Sequence, residues 1–329
     1  MGEWKPDVLG DGYEQQTIDL GEDPDGEGEI VATLVRRTWT GRRKPQRAVL
    51  YVHGFSDYFF QRELADFHAE RGFAFYALDL RKCGRSRRDG HTPHFVSDLE
   101  LYDTELNAAL AVVRADTGDS PVLLEGHSTG GLVLPLWVDR LRRAGERTPA
   151  DTGVSGLVLN SPWFDLQAGM WMRTLGTQAL GAAARLTPKR VLELPSTDAY
   201  GVSLSATERG MWDYDLDWKP LHGFAVTVGW LAAVRAGHAQ LHRGLDVGVP
   251  SLVLRSDKSH RARSWREPVD VSDAVLEVAD IARWAGCLGG PLWSIPVTDA
   301  RHDVFLSLDQ PRKQAYETLD AWLRAFDLI

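Results

Sequence analysis

Cysteine is scarce in this sequence, and so is positive charge. Its two cysteines in 329 residues, Cys83 and Cys287, exclude a disulfide framework as the source of stability. The formal net charge of −9 opposes nucleic-acid binding, because contacts with phosphate need a positive field. One basic run, RKCGRSRR at 81–88, follows an apolar stretch and contains a glycine, so we interpret it as a solvated loop. We therefore expect no nucleic-acid partner.

Long apolar runs are also missing. No stretch approaches the roughly 20 apolar residues that a membrane-spanning helix needs, so we expect no stable membrane insertion. The first residues, MGEWKPDVLGDGYEQQ, have neither the basic nor the apolar region of a signal peptide. Together with the low cysteine content, these features predict a cytoplasmic protein.

The sequence does contain a regular alternation of apolar strands and amphipathic helices. The strands have continuous apolar runs, which are typical of parallel strands buried on both faces. Two earlier segments, 14–20 and 30–39, are expected to add antiparallel edge strands. The predicted parallel strands are 48–55, 73–80, 121–126, 154–162, 250–256 and 291–297, and the predicted helices are 60–71, 98–115, 131–145, 273–286 and 311–326. This order predicts an α/β fold with a mostly parallel sheet covered on both faces.

A long segment between the fourth and fifth of these strands interrupts the alternation. A connection of this length inside an α/β domain is usually functional. We interpret residues 163–247 as an inserted cap on a core formed by residues 1–162 and 248–329. The segment is rich in aromatic side chains, some of which are expected to fill its own interior: Trp163, Phe164, Trp171, Trp212, Tyr214, Trp218, Phe224 and Trp230.

One serine stands between two glycines at a strand-to-helix junction. In LLEGHSTGGLVLPLW, residues 123–137, Gly126 and Gly130 each lie two positions from Ser128. Glycine at both positions allows a sharp reversal where a β-carbon would clash. The pattern G-x-S-x-G between a strand and a helix is that of a nucleophile elbow. The stretch therefore predicts that Ser128 is presented as a nucleophile.

Other reactive side chains follow other predicted strands. His53-Gly54-Phe55 comes after the first of them, Asp257 after the fifth and His302 after the sixth. Ligands of open α/β sheets bind outside the carboxyl ends of the strands, so these groups are expected to converge on Ser128. The chain order is serine, acid, histidine.

These motifs resemble the α/β-hydrolase superfamily, and within it the serine-aminopeptidase-like, monoacylglycerol-lipase and lysophospholipase-like branch. HGFSDY corresponds to the HG-x motif, DLRKCGRS to the D-x-R-G-x-G-x-S turn and GHSTGG to the elbow. The resemblance covers residues 45–326 except the cap, which lies where that branch carries one, between strands 6 and 7 of the family order. Lys82 and Cys83 depart from the family's turn.

The resemblance implies a Ser-His-Asp triad. Ser128 would attack the substrate, His302 would take its proton, and a carboxylate would orient His302. The backbone N–H groups of Phe55 and Thr129 would form the oxyanion hole, with His53 supporting that loop.

Two aspartates compete for the role of the acid. Asp257 directly follows the fifth predicted strand, at the right edge of the sheet. In the resembling family, however, the acid opens a D-x-V stretch leading into the next helix, and Asp273-Ala-Val-Leu-Glu277 has that form. We therefore favour Asp273 and keep Asp257 as the alternative. A purely structural interpretation makes Asp273 the N-cap of the following helix.

The predicted function is a serine hydrolase that cleaves a small-molecule carboxylic ester with an apolar or aromatic part, without a cofactor. The aromatic residues predicted to bind this substrate are Trp163, Phe164, Trp171, Trp212 and Trp218. An amide or peptide substrate, acyl transfer on the same triad, and a non-catalytic binder of small molecules remain alternatives. No metal is expected, since His238 and His242 have i, i+4 spacing but Ala239 stands where a zinc protease has glutamate.

Overall fold

A computed structural model of the chain contains a nine-stranded sheet with helices on both faces. The structure describes residues 2–41, 45–145, 149–166, 180–181, 183–195 and 197–329. The strands are β1 (Lys5–Pro6), β2 (Tyr13–Glu22), β3 (Glu29–Arg37), β4 (Arg47–Val52), β5 (Phe73–Asp79), β6 (Val122–His127), β7 (Val154–Asn160), β8 (Ser251–Ser256) and β9 (Leu292–Val297). The α-helices whose bounds lie fully within the described residues are α1 (Arg62–Glu70), α2 (Asp103–Thr117), α3 (Gly130–Arg143), α4 (Pro149–Thr152), α5 (Ala199–Leu204), α6 (Val228–Leu241), α7 (Val278–Trp284) and α8 (Asp309–Ala325).

The order of strands in the sheet is β1-β2-β3-β5-β4-β6-β7-β8-β9. The pairs from β5 to β9 are parallel, which confirms the predicted α/β fold. β2 and β3 form the expected antiparallel edge, and β3 pairs antiparallel with β5. The short β1 was not predicted, and it pairs with β2 at the outer edge.

The central strands are apolar throughout because each face of the sheet packs on its own core. Leu50 and Leu124 are register partners and belong to the core that also contains α2 and α3. Their chain neighbours Val49 and Leu123 point to the other face and pack with α1 and α8. Side chains alternate between faces along a strand, so two buried faces require a continuous apolar run.

Two predicted helices begin later than the apolar periodicity indicates. A 3₁₀ turn at Leu99–Tyr102 precedes α2, which begins at Asp103. α7 begins at Val278, where the side chain of Glu277 caps the helix by accepting from the N–H of Ala279. Asp273 is therefore not the N-cap of this helix, because it lies in the turn before it.

The interpretation of residues 81–88 as a solvated loop is wrong for residues 81–86, which are buried. Arg81, Lys82 and Arg85 are all buried. Each cation lies against carboxylates from outside the run: Arg81 pairs with Glu105, Lys82 with Asp23 and Glu27, and Arg85 with Asp7 and Asp79. Burial of a charge is tolerated when it is paired in this way.

The segment between β7 and β8 packs partly into the main core. Trp230, Val234 and Leu241 of α6 are buried in the same apolar cluster as Leu132 and Leu136 of α3. Among the described residues, no helix has both the length and the apolarity needed to cross a membrane.

Candidate active site

Ser128 occupies a strained turn between β6 and α3. Its φ of 52° lies in the left-handed region, which is uncommon for residues other than glycine. A β-carbon on Gly126 would come 2.7 Å from the backbone of Gly130, and one on Gly130 would come 2.4 Å from the carbonyl oxygen of Val52. Both glycines are therefore required by close backbone approach, and this local crowding fixes the turn that carries Ser128.

The end of β7 holds this turn on one side. The N–H of Ser128 donates to the carbonyl oxygen of Asn160 at 3.0 Å. The carbonyl oxygen of Ser128 accepts from the N–H of Trp163, also at 3.0 Å. Because both backbone groups of the serine are bonded, its hydroxyl is carried by a rigid element.

Asp273 and His302 form a buried pair. The distance from His302 Nδ1 to Asp273 Oδ2 is 2.9 Å, and the two side chains are 3% and 0% exposed. The other carboxylate oxygen, Oδ1, accepts from the N–H groups of Val275 and Leu276 at 2.8 and 2.7 Å. A carboxylate can only accept here, so Nδ1 of His302 carries the proton. In the neutral ring, Nε2 is then left as the proton acceptor.

The long acid loop returns Asp273 to the end of β8 by backbone pairing. Asp273 and Ser259 form an isolated parallel bridge. The N–H of Asp273 donates to Lys258, and the N–H of His260 donates to Asp273, both at 2.9 Å. This pairing places a residue distant in sequence at the carboxyl edge of the sheet. Sequence spacing alone does not predict this pairing.

Asp257 lies elsewhere on the surface of the same edge. Its side chain is 32% exposed and accepts from the N–H of Asp299 at 2.9 Å. The ammonium of Lys258 lies 3.9 Å from its other oxygen. The structure thus brings Asp273, and not Asp257, to His302.

Asn160 connects the serine turn with the histidine loop. Besides accepting from Ser128 through its backbone, it donates its side-chain amide to Asp303 Oδ1 at 2.6 Å and accepts from the N–H of Val304 at 3.1 Å. Sequence analysis did not identify Asn160 or Asp303. Their only signal is position: Asn160 ends a strand and Asp303 follows His302.

His53 orients the loop that faces Ser128. Its Nε2 accepts from the N–H of Leu80 at 3.1 Å, so Nδ1 carries the proton and donates to the carbonyl oxygen of Gly54 at 2.7 Å. In a planar trans peptide the C=O and the following N–H point in opposite directions. Fixing the Gly54 carbonyl therefore also fixes the direction of the Phe55 N–H.

The loop lies close against the nucleophile. A β-carbon on Gly54 would approach Cβ of Ser128 to 2.9 Å. Thr129 immediately precedes α3, whose N-terminus supplies unpaired N–H groups and a partial positive charge. Gly54, which precedes Phe55, and Thr129 thus border the serine from two different elements.

A small cavity lies beside this loop. Its volume is about 10 Å³, enough for about one water molecule. Phe55, Thr129, His94 and Trp230 are among the residues that line it. His94 Nε2 and Thr129 Oγ1 are buried without a hydrogen-bond partner, and burial holds the pKa of His94 well below its ordinary value. The cavity therefore combines aromatic walls with two neutral polar atoms.

The predicted substrate-binding aromatics occupy different environments. Trp163 is partly buried, with its ring centroid 5.7 Å from that of Trp230, whereas Phe164 is fully buried in the core. Trp212 donates Nε1–H to the carbonyl oxygen of Leu306. Trp218 meets Tyr58 edge to face at 5.1 Å. Trp171 lies outside the described residues.

His238 and His242 bind the backbone that leads away from β7. Their Nε2 atoms lie 2.8 Å from the carbonyl oxygens of Trp163 and Phe164 respectively. Burial, aided by the nearby charge of Arg235, lowers the pKa of His238 to about 3, so its ring is neutral at pH 7. In the part of the chain that the structure describes, no three His, Cys, Asp or Glu side chains are grouped to hold a metal ion.

Comparison with known proteins gives one family and one curated relative. The sequence model of the family described as serine aminopeptidase, S33, matches residues 43–261. Phospholipase YtpA of Bacillus subtilis (strain 168) is 31% identical over 132 residues, which are 40% of this chain and 45% of that protein. The match therefore spans less than half of the relative's length.

Two solved structures illustrate the likeness in fold. A soluble variant of monoglyceride lipase from Saccharomyces cerevisiae, in complex with a substrate analog, has a TM-score of 0.63 at 16% identity over 99% of both chains. A thermostable carboxyl esterase from Bacillus coagulans, in complex with glycerol, has a TM-score of 0.63 at 15% identity over 95% of this chain and 98% of that one. At this level of identity the similarity establishes the architecture.

Proposed function

This chain belongs to the serine aminopeptidase S33 family of α/β-hydrolases, and from that premise we propose that it is a serine hydrolase acting on carboxylic esters. The observation that carries the proposal is the bond between His302 Nδ1 and Asp273 Oδ2, on a loop tied by Asn160 to the turn of Ser128. This arrangement leaves Nε2 of the histidine as the base that a serine nucleophile requires.

In the first half of the reaction, Ser128 Oγ attacks the ester carbonyl while His302 Nε2 takes its proton. Asp273 stabilises the imidazolium that forms. The N–H groups of Phe55 and Thr129 stabilise the negative charge that develops on the carbonyl oxygen. Collapse of the intermediate breaks the ester bond, and His302 returns the proton to the leaving alkoxide.

In the second half, water attacks the acyl-enzyme. His302 accepts a proton from this water and later returns it to Ser128 Oγ as the carboxylic acid leaves. The products are one alcohol and one acid, and no redox step or cofactor is needed.

The aromatic side chains at and beside the His53-Gly54-Phe55 loop favour an apolar or aromatic ester as the substrate. The rings of Phe55 and Trp230 lie with their centroids 4.0 Å apart, and Trp163 packs on Trp230. These surfaces stabilise apolar groups by removing them from water. The names of the B. subtilis phospholipase and the S. cerevisiae lipase agree with an ester bond as the target. We keep the 163–247 segment as a cap, because Trp163 and Trp230 belong to it.

The test is a combined labelling and turnover experiment. Purified protein is treated with a fluorophosphonate probe and assayed on p-nitrophenyl esters of graded chain length, beside matched aryl amides. We expect labelling that is lost in Ser128→Ala, and turnover of esters above amides. Turnover of the amides alone would replace esterase with amidase activity. Failure of the wild type both to label and to turn over any substrate would favour a non-catalytic binder.

A further inference from the structure

A closed network of side-chain contacts includes His302. Two of its members, Tyr200 and Lys219, come from the 163–247 segment. Lys219 Nζ lies 2.7 Å from Asp57 Oδ1, and Asp57 Oδ2 lies 3.1 Å from His127 Nδ1. The rings of His127 and His302 have centroids 4.9 Å apart, and those of His302 and Tyr200 are 5.5 Å apart. The network closes because Lys219 Nζ lies 5.9 Å from the centroid of the Tyr200 aromatic ring.

The ionic link between Lys219 and Asp57 is buried. Their side chains are only 8% and 1% exposed. Burial alone would raise the pKa of Asp57, but the charge of Lys219 and the hydrogen bond with His127 outweigh it, so this pKa is far below its usual range. Asp57 is therefore ionised at neutral pH. Separating a buried ion pair is costly, so the pair firmly fixes the 163–247 segment to the core at this point.

The next link transmits this fixed position to His302. An ionised Asp57 can only accept, so His127 Nδ1 carries a proton and the plane of its ring is set by the carboxylate. His127 also precedes Ser128 in the chain. Its ring packs against the imidazole of His302 at an angle of 54°. Movement of Lys219 would therefore change the position of the His302 imidazole through Asp57 and His127.

Tyr200 is the other member of this network that contacts His302 directly, besides His127. Its hydroxyl accepts from the N–H of Asp303 at 3.2 Å, so it holds the backbone next to the histidine. Its aromatic ring meets the imidazole nearly at a right angle, at 81°, which is a favourable edge-to-face arrangement. Trp212 holds the same loop further along, through its bond to Leu306.

We propose that Tyr200 and Lys219 are positioning residues for His302, so that the 163–247 segment completes the catalytic scaffold as well as contacting substrate. This inference rests on the proposed function. Neither residue exchanges a proton or attacks the ester. They restrict the imidazole to the place where Nε2 can reach Ser128. A misplacement of about 1 Å can reduce turnover about 100-fold, so loss of either contact should lower kcat more than it changes KM.

The experiment compares three substitutions with a matched control. Lys219→Met keeps the length of the side chain without its charge, Tyr200→Leu removes ring and hydroxyl, and Tyr200→Phe removes the hydroxyl alone. The control is Lys189→Met, another lysine of the same segment in an ion pair, with Glu27 at 3.0 Å. For each protein, active sites are counted by titration with the fluorophosphonate to completion, and kcat and KM are measured per titrated site on one p-nitrophenyl ester.

We expect Lys219→Met and Tyr200→Leu to lose about 10- to 100-fold in kcat per titrated site, with KM changed by less than about threefold. Tyr200→Phe should lose less than Tyr200→Leu, since the ring contact remains. Lys189→Met should keep the wild-type kcat. If the substitutions reduce only Tm or the number of titrated sites, while kcat per site is unchanged, the two residues are merely structural and the inference is overturned.

Lys219→Met leaves the Asp57 carboxylate buried without its cation and can fail to fold for that reason. The double variant Asp57→Asn/Lys219→Met removes both charges, and its amide oxygen can still accept from His127. We expect this variant to recover Tm while kcat stays low. Full recovery of kcat would overturn the role of Lys219.

A proton NMR measurement keeps the inference separate from the esterase assignment. The Nδ1 proton of His302, bonded to Asp273, gives a low-field signal that does not require turnover. We expect this signal to shift or to exchange faster with water in Lys219→Met and in Tyr200→Leu. An unchanged signal in both variants would refute the positioning role. Absence of esterase activity and labelling in the wild type would refute only the proposed function.

Discussion

The substitution Asp273→Asn tests the acid of the proposed triad while keeping most of its structural bonds. Asp273 Oδ1 accepts from two backbone N–H groups, and an amide oxygen can accept from the same groups. The amide nitrogen would then replace Oδ2, which lies 2.9 Å from His302 Nδ1. An amide N–H donates, so it cannot face the N–H that His302 carries there.

The imidazole must respond by changing its tautomer. Nδ1 would lose its proton and accept from the asparagine, and Nε2 would carry the proton instead. A protonated Nε2 cannot act as the base for Ser128. Substitution of the acid in a serine triad lowers kcat by about 10⁴-fold for this reason, so we expect a loss of that order at neutral pH. The retained oxygen contacts predict a small change in Tm.

The assay is kcat on a p-nitrophenyl ester, beside thermal unfolding of the same samples. Asp257→Asn is the matched control, because Asp257 is partly exposed and contacts Asp299 and Lys258. We expect it to stay within about twofold of the wild type, as surface substitutions away from a site usually do. If Asp257→Asn is severely impaired and Asp273→Asn is not, the reasoning is refuted and the acid is Asp257.

Three further predictions follow from other contacts. Ser128→Ala should abolish labelling by the fluorophosphonate and leave about 10³-fold acceleration over water at most, with Tm unchanged; retained wild-type turnover would contradict the assignment. Trp230→Ala should enlarge the cavity beside Phe55 and shift kcat/KM toward longer acyl chains, whereas equal ratios across the ester panel would show that this wall does not select substrate. Acid should destabilise the fold through protonation of Glu27. Burial raises the pKa of Glu27, but hydrogen bonds from Thr92, Lys82 and Lys189 outweigh burial and lower this pKa from 4.5 to about 2. Because the folded pKa is the lower one, this stabilisation is complete above pH 4.5 and is lost as the pH falls toward 2. Denaturant unfolding between these limits should therefore show a smaller loss of stability in Glu27→Gln than in the wild type, and equal losses would refute the assignment.

The sequence by itself determined the parts whose causes are local. Alternating elements and continuous apolar runs predicted the parallel sheet, since burial on both faces leaves no room for polar side chains in its strands. Gly126 predicted the turn of Ser128 because the atoms that would clash with its β-carbon belong to Gly130 and Gly131, a few residues away. The preference for Asp273 over Asp257 came from the resemblance, because Asp273 opens the D-x-V stretch that the resembling family has at its acid, and this choice stays a prediction.

Tertiary structure decided the features whose partners are distant in the chain. The sequence indicated a solvated basic run at Arg81, Lys82 and Arg85. This was wrong because the carboxylates that neutralise these cations come from other elements, among them Asp23 and Glu105. The same holds for Asn160, which joins the loops of Ser128 and His302 through bonds to Asp303 and Val304. A hydrogen bond or an ion pair requires its partner within about 3 to 4 Å in space, and separation along the chain places no limit on which residues meet at that distance. For that reason the pattern of residues indicated which groups could react, and only the folded chain brought Lys219 to Asp57 and Tyr200 to the imidazole of His302.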